Sequence, residues 1–133
     1  MAHPRVNYGN NEQSILYAET GGACPLCTLP ILFKKASSKK LSKGYEIAHI
    51  YPLNSTPLQT TVLEGLAPPS ELNALENLIL LCPSCHRKYD KDFKIEEYQN
   101  LLAIKEGYLR ETEARQTCLL YTSDAADERS SVD

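Results

Sequence analysis

The alternation of hydrophobic and polar positions along the chain predicts a small α+β protein made of short elements. Residues 10–22 (NNEQSILYAETGG) predict a short helix, with Asn11 as its N-cap and Gly21 as its C-terminal stop. Residues 30–35 (PILFKK) and 44–51 (GYEIAHIY) are the best strand candidates. The lysine-rich segment between them is typical of a turn, so we expect these two strands to pair as a β-hairpin.

The second half of the chain is predicted to be mainly helical. Pro83 favours the start of a short helix that ends near Asp90, because proline suits the first helical position. Residues 95–116 predict another helix, whose apolar stripe consists of Tyr98, Leu101, Leu102, Tyr108 and Leu109. Residues 52–72 have no clear period and are predicted to form a loop.

Composition and charge narrow the class of protein. The 133 residues include 14 lysines and arginines against 17 acidic residues, so any contact with nucleic acid has to come from a local basic patch. The longest apolar run has five residues, 78–82, which is far too short to cross a membrane. The polar N-terminus lacks the apolar core of a secretory signal. We therefore expect a cytoplasmic location, where cysteines indicate metal or redox chemistry rather than disulfides.

Four of the five cysteines form two C-x2-C pairs, Cys24/Cys27 and Cys82/Cys85, separated by 54 residues. Each such pair can present two thiolates to one side of a tetrahedral Zn²⁺, so two pairs complete a structural zinc site. A redox dithiol is the alternative, but the paired spacing favours zinc. Haem attachment fits poorly, because Thr28 and not histidine follows the first pair. With four cysteines on the zinc, His86 remains available for another role.

The phrases EIAHIYPLN and ENLILLCPSCHRKYD, bracketed by the cysteine pairs, resemble the zinc-containing HNH endonucleases, a group of the ββα-metal (His-Me finger) nucleases. The resemblance covers roughly residues 20–92, and its three namesake residues are His49, Asn77 and His86. It implies a zinc-bound, treble-clef-like domain made of a zinc knuckle, a β-hairpin and a helix. The domains expected are an N-terminal helical arm (1–20), the HNH nuclease domain (21–92), a C-terminal helix (93–117) and a tail (118–133).

The resemblance also implies a role for each site residue. His49, on the second strand of the hairpin, would deprotonate the attacking water, since histidine is the natural base at neutral pH. Asn77 would hold the loop that bears His49. His86 would bind a catalytic Mg²⁺ or another divalent ion, and Asp90, four residues later on the same helix face, would be a second ligand.

The sequence departs from the family at Ala48, where most members have a metal-binding Asp or His. Glu46 has the same strand parity, but two residues of strand displace it by about 6.6 Å, which favours contact with the metal through water. Without its neighbours in register, His49 would be interpreted as a core histidine. Ala48 leaves open a second hypothesis, a catalytically weakened or inactive zinc module that binds nucleic acid or a protein partner.

The function expected is a metal-dependent DNA endonuclease, set in bacterial restriction or antiphage defence with possible partner proteins of such a system. Basic residues that could contact phosphates are Lys34, Lys35, Lys39, Lys40, Lys43, Arg87 and Lys88. Lysine runs of this kind are also common in solvated turns. Residues 118–128 look like a translated sequencing-library adapter, so the tail 118–133 is expected to be non-native or disordered and is left out of the fold prediction.

Overall fold

The computed structural model of the chain describes residues 3–4, 6–34 and 41–130. Within these ranges the order of elements is α1 (Asn10–Thr20), β1 (Leu32–Lys34), β2 (Leu41–Lys43), β3 (Glu46–His49), α2 (Pro57–Val62), β4 (Leu78–Leu81), α3 (Pro83–Lys91) and α4 (Ile95–Ser130). A 3-10 turn, Leu75–Asn77, leads into β4. The α+β class expected from the sequence is confirmed.

The predicted pairing of the strands is wrong. β1 pairs with β2, and β3 pairs instead with β4 in an antiparallel sheet that aligns His49 with Leu78 and Glu46 with Leu81. All four residues of β4 are buried, so the strand shows no alternation of polar and apolar positions, and its continuous apolar run was not interpreted as a strand. His49 therefore ends the first strand of its hairpin and not the second. Of the predicted turn, residues 35–40 lie outside the described part of the chain.

The helices near the N-terminus differ in detail from their predictions. α1 ends at Gly21, whose φ of 66° is left-handed, and this confirms the predicted stop. Its N-cap is Gly9, and Asn11 lies inside the helix, so the predicted cap is wrong. α2 was missed within the predicted loop. A capping box starts it, in which the Thr56 side chain accepts from the backbone N–H of Gln59 and the Gln59 side chain accepts from that of Thr56.

The core forms where α1 and α3 pack against the sheet of β3 and β4. Its fully buried residues include Leu16 of α1, Ala48 of β3, Leu78 to Leu81 of β4 and Leu101 of α4. Tyr89 of α3 donates a hydrogen bond of 2.6 Å from its hydroxyl to the carbonyl of Ile50, which fixes the helix on the end of β3. β3, β4 and α3 thus form a rigid ββα unit on which the predicted site residues are mounted.

The two C-terminal helices begin close to where the sequence predicts. α3 begins at Pro83 as expected. α4 begins at Ile95 but continues to Ser130, past the predicted end and into the segment that was left out of the fold prediction. On its predicted stripe, Tyr98 and Leu101 are buried. None of the helices in the described ranges is both long and apolar enough to cross a membrane.

Candidate zinc site and active site

The two cysteine pairs come together in space as the zinc prediction requires. The four sulfur atoms of Cys24, Cys27, Cys82 and Cys85 all lie within 4.8 Å of one another, and those of Cys27 and Cys82 are 3.6 Å apart. Sulfur atoms bound to one tetrahedral Zn²⁺ at the usual bond length are about 3.8 Å apart. The four side chains therefore fit a structural zinc ion.

Each cysteine pair is held by its own backbone turn. In the first, the amide of Cys24 donates to the carbonyl of Leu29, and the amide of Thr28 donates to that of Cys24. Thr28 takes a left-handed φ of 67°, which closes this knuckle. In the second, Cys82 is the N-cap of α3, and its sulfur accepts from the amide of Cys85. The zinc site thereby joins the knuckle to the start of the ββα helix.

The pKa values of two of the clustered cysteines are shifted in opposite directions. Burial raises the pKa of Cys24, but hydrogen bonds from the backbone, chiefly of Cys82 and Cys27, outweigh it and lower the pKa to about 7. The pKa of Cys85 is strongly raised, first by burial and then by the neighbouring sulfurs. A single thiolate thus disfavours ionisation of the others. A bound divalent cation removes this conflict, because it stabilises all four thiolates together.

Asn77 ties together the two ends of the segment that connects β3 to β4. Its side chain is 4% exposed, its Oδ1 accepts from the amide of Tyr51 at 2.8 Å, and its Nδ2 donates to the carbonyls of Tyr51 and Leu72, both at 2.9 Å. Its own carbonyl accepts from the amide of Ile50, the residue after His49. The backbone just beyond His49 is therefore tied to the residue that precedes β4.

His49 has a side-chain partner that the sequence did not indicate. Its Nε2 lies 2.9 Å from Oδ1 of Asn73, in the loop before the 3-10 turn. The same Oδ1 lies 3.0 Å from the hydroxyl of Tyr8, in the segment before α1. These contacts span 24 and 65 residues, and neither partner belongs to a recognisable motif, so no sequence signal could have found them.

His86 lies between two carboxylates. Its Nδ1 is 2.8 Å from Oε1 of Glu46, and its Nε2 is 3.2 Å from Oδ2 of Asp90, one helical turn later on α3. The hydrogen bond that His86 donates to the Asp90 carboxylate raises the pKa of His86, and together with the one donated to Glu46 it outweighs the opposing effect of burial. The structure thus brings together three of the residues that the sequence proposed for a catalytic metal.

These three side chains fit a divalent ion in a particular way. Two neighbouring ligands of an octahedral Mg²⁺ are about 3.0 Å apart, close to the separation of Nε2 of His86 and Oδ2 of Asp90. Glu46 contacts the other ring nitrogen, which is where a carboxylate commonly orients a metal-binding histidine. Among the described residues, the four cysteines are the only group of three or more His, Cys, Asp or Glu whose ligand atoms already converge. A second ion would thus need ligands beyond His86 and Asp90, such as water and a substrate phosphate.

Both histidines face a groove on the surface. A small cleft of about 130 Å³ is lined by His49, Pro52, Asn54, His86 and Asp90, among others. A larger one of about 670 Å³ is lined by residues that include Tyr8, Lys43, Tyr45, Glu46, His49 and His86. The two clefts share the two histidines, and we call them together the histidine groove.

The basic residues proposed for phosphate contact are distributed unevenly around this groove. Lys43 lines its larger part, and its Nζ lies 5.3 Å from the ring centre of Tyr45. Arg87 and Lys88 are exposed on α3 beside His86. Lys34 ends β1, whereas Lys35, Lys39 and Lys40 lie outside the described residues.

Comparison with known protein families agrees with this geometry. A family model described as HNH endonuclease matches residues 24–103, which are 80 of the 133 residues. The chain therefore belongs to the HNH endonuclease family, and the matched region contains the four zinc-site cysteines together with His49, Asn77, His86 and Asp90. Tyr8 lies outside it. No curated protein matches the sequence.

Proposed function

We propose that this protein is a metal-dependent endonuclease that hydrolyses phosphodiester bonds in DNA. The observation that carries the proposal is the histidine groove, which brings His49 together with the carboxylate-flanked His86 on a ββα unit beside four clustered cysteines. Phosphodiester hydrolysis needs a base for the attacking water and positive charge at the phosphate. The family to which the chain belongs is one of endonucleases.

Each side chain of the groove has one task in this proposal. His49 takes the proton of the attacking water. Asn77 keeps the backbone that follows His49 in place through its hydrogen bonds to Tyr51 and Leu72. His86 and Asp90 hold the catalytic divalent ion, for which Mg²⁺ is the first candidate, and Glu46 orients His86. When bound, that ion supplies positive charge to the scissile phosphate.

Contacts with the rest of the DNA backbone are assigned to the basic residues near the groove. Arg87 and Lys88 are exposed on the helix that carries His86, and Lys43 lines the larger part of the groove. Such contacts place the phosphate and do not read sequence. From the sequence, phosphate contact is also proposed for Lys34, Lys35, Lys39 and Lys40.

Ala48 favours a second function, a zinc module that binds nucleic acid or a protein without cutting. Its side chain is fully buried in the core, so this position contributes no ligand. Against this alternative, Glu46, two residues earlier on β3, provides a carboxylate that contacts His86. The groove thus keeps an acidic group from the same strand, which is why catalysis is the first proposal.

Cleavage of supercoiled plasmid by the zinc-loaded protein, with and without Mg²⁺, Mn²⁺ or Ni²⁺, separates the two functions. We expect nicked or linear product only when a divalent ion is added, and no product from His86→Ala. His3→Ala, which removes the third histidine of the chain, is the matched control and should cleave normally. Tight binding of the plasmid without cleavage in any of the three metals would favour the binding module.

We further propose that the nuclease serves in bacterial restriction or antiphage defence, with partner proteins of such a system. The support is membership of the HNH endonuclease family. Bacteria that express the wild-type chain should plate phage less efficiently than bacteria that express His86→Ala. Equal plating of a broad phage panel on both strains would contradict this setting and leave the biochemical proposal in place.

A further inference from the structure

We propose that Tyr8 and Asn73 are positioning residues that hold the proton of the neutral His49 ring on Nε2, so that its lone pair is on Nδ1. This inference rests on the proposed function, because it concerns the ring that takes a proton from water. It adds to the site two residues of which one, Tyr8, lies outside the region matched to the HNH endonuclease family.

The first step is the contact between His49 and Asn73. The Nε2 atom of His49 and the Oδ1 atom of Asn73 are 2.9 Å apart, a normal hydrogen-bond distance. An amide oxygen can only accept, so the proton of this bond is on Nε2. In a neutral imidazole the other nitrogen then carries the lone pair, and the hydrogen bond at one nitrogen selects the base at the other.

The second step is the contact between Asn73 and Tyr8. The Tyr8 hydroxyl lies 3.0 Å from Oδ1 of Asn73 and 3.2 Å from the backbone carbonyl of the same residue. A phenol that donates toward the side-chain oxygen favours the amide orientation in which that oxygen, and not the NH2 group, faces His49. The hydroxyl thus lies between the side-chain oxygen and the backbone oxygen of Asn73, and its contact with Oδ1 opposes rotation of the side-chain amide.

The third step is the fixation of Tyr8 itself. Its carbonyl accepts from Nε2 of Gln13 at 2.9 Å, and Oε1 of Gln13 accepts from the hydroxyl of Tyr45 at 3.0 Å. The amide of Gln13 also donates to the carbonyl of Gly9 in the first turn of α1. The segment before α1 is therefore anchored to the wall of the histidine groove and carries the Tyr8 hydroxyl to Asn73.

The direct test is the tautomer of His49, read from ring nitrogen shifts in long-range ¹H–¹⁵N spectra at a pH where the ring is neutral. The zinc-loaded wild-type protein should show the Nε2–H form. Asn73→Ala should shift the ring to a mixture of both tautomers, and Tyr8→Phe should do so in part. Asn73→Asp keeps acceptor oxygens and should restore the Nε2–H form. Tyr17→Phe, which removes a hydroxyl outside the groove, should match the wild type.

Cleavage kinetics give a second reading. Loss of one neutral hydrogen bond should lower kcat of Tyr8→Phe by about 2- to 10-fold with little change in KM. Asn73→Ala should lose more, since it removes the acceptor itself. Zinc content and amide spectra check that each variant is folded, and if Asn73→Ala does not fold, Tyr8→Phe and Asn73→Asp still decide the outcome.

An Nδ1–H form in the wild type, or a tautomer that ignores the Asn73 and Tyr8 substitutions, would overturn the inference. The spectra need no catalysis, so the two proposals fail separately. If the protein does not cut DNA but the His49 tautomer responds as expected, the nuclease proposal fails and the positioning role of Tyr8 and Asn73 stands. If the protein cuts DNA but the His49 tautomer does not respond to the substitutions, only the positioning role of Tyr8 and Asn73 fails.

Discussion

At the scale of single residues, the side chain of Asn77 holds the backbone around the candidate active site. It makes three hydrogen bonds from a buried position, and all of them go to backbone groups of the segment that connects β3 to β4. Removal of the amide leaves the backbone groups of Tyr51 and Leu72 without these partners. Buried groups that lose a partner are costly, while an exposed amide loses little because water replaces the partner.

We therefore expect Asn77→Ala to lower the free energy of unfolding by about 2–4 kcal/mol. Chemical denaturation of the zinc-loaded protein measures this. Asn100→Ala, an exposed position on α4, is the matched control and should change the free energy by about 0.5 kcal/mol or less. Equal stability of the two variants would show that the hydrogen bonds of Asn77 do not hold this segment.

Ala48 cannot provide a metal ligand, and the carboxylate of Glu46 beside His86 is the group that could replace it. Substitution of Glu46 tests this role. Since Glu46 contacts Nδ1 and leaves Nε2 to Asp90, Glu46→Gln should weaken binding of Mn²⁺ to the zinc-loaded protein by about 10- to 100-fold. Titration calorimetry provides the measurement, and Glu64→Gln, an exposed glutamate away from the groove, is the control. Unchanged affinity in Glu46→Gln would remove this role.

The sequence predicted these residues unequally, for a physical reason. Local spacing is visible in a sequence, so the C-x2-C pairs and the separation of His86 from Asp90 pointed to shared sites before the fold was known. Contacts that the tertiary fold creates are not visible. Asn73 and Tyr8 reach His49 only because the loop before β4 and the segment before α1 meet at one end of the hairpin.

At the scale of elements, the cysteine cluster coincides with the start of α3. Cys82 is both the N-cap of α3 and one of the four clustered cysteines. Its sulfur atom would therefore bind the proposed metal and also cap the helix. The same helix carries His86 and Asp90 in its first two turns. Loss of the metal should therefore destabilise the candidate active site as well as the knuckle of Cys24 and Cys27.

Elemental analysis of the purified protein should give about one zinc per chain, as expected for a single four-cysteine site. Cys82→Ser should lose the zinc and the cooperative thermal transition, because binding of a structural metal is coupled to folding. Cys118→Ser, at an exposed cysteine outside the cluster, should retain both. A folded Cys82→Ser variant without zinc would mean that the cysteines do not form a structural zinc site.

Within the ββα unit, the elements with a local sequence signal were predicted, and the one without such a signal was not. β3 and α3 were predicted because alternation and a proline at the first helical position are local signals. β4 was not predicted, because a strand that is buried throughout has no alternation. The wrong hairpin followed from that omission, since the nearest remaining strand candidate was paired with β3.

At the scale of the whole molecule, a buried ion pair connects the first helix, α1, with the last, α4. Nζ of Lys105 on α4 lies 2.6 Å from Oε1 of Glu19 on α1, and both side chains are almost fully buried. Burial lowers the pKa of Lys105, although Glu19 opposes this effect. Because burying both charges costs desolvation free energy, we expect the pair to add little net stability. Its main effect should be to fix how α4 packs against α1.

Lys105→Met should lower the free energy of unfolding by about 3–5 kcal/mol, because it leaves Glu19 buried without its counter-ion. The double variant Glu19→Leu with Lys105→Met should recover most of this loss, since no buried charge then remains. Denaturation of the three proteins checks the difference. A double variant as unstable as the single one would show that packing of the lysine stem, and not charge, is what matters.

The rate at which zinc-loaded His49→Ala cleaves supercoiled plasmid, relative to wild type under the same divalent ion, tests the proposed nuclease most directly. Loss of a general base should lower the rate by about 10²- to 10⁴-fold. His3→Ala, at the histidine outside the groove, should cleave at the wild-type rate. A folded His49→Ala variant that cuts as fast as the wild type would contradict the assignment of His49 as the catalytic base.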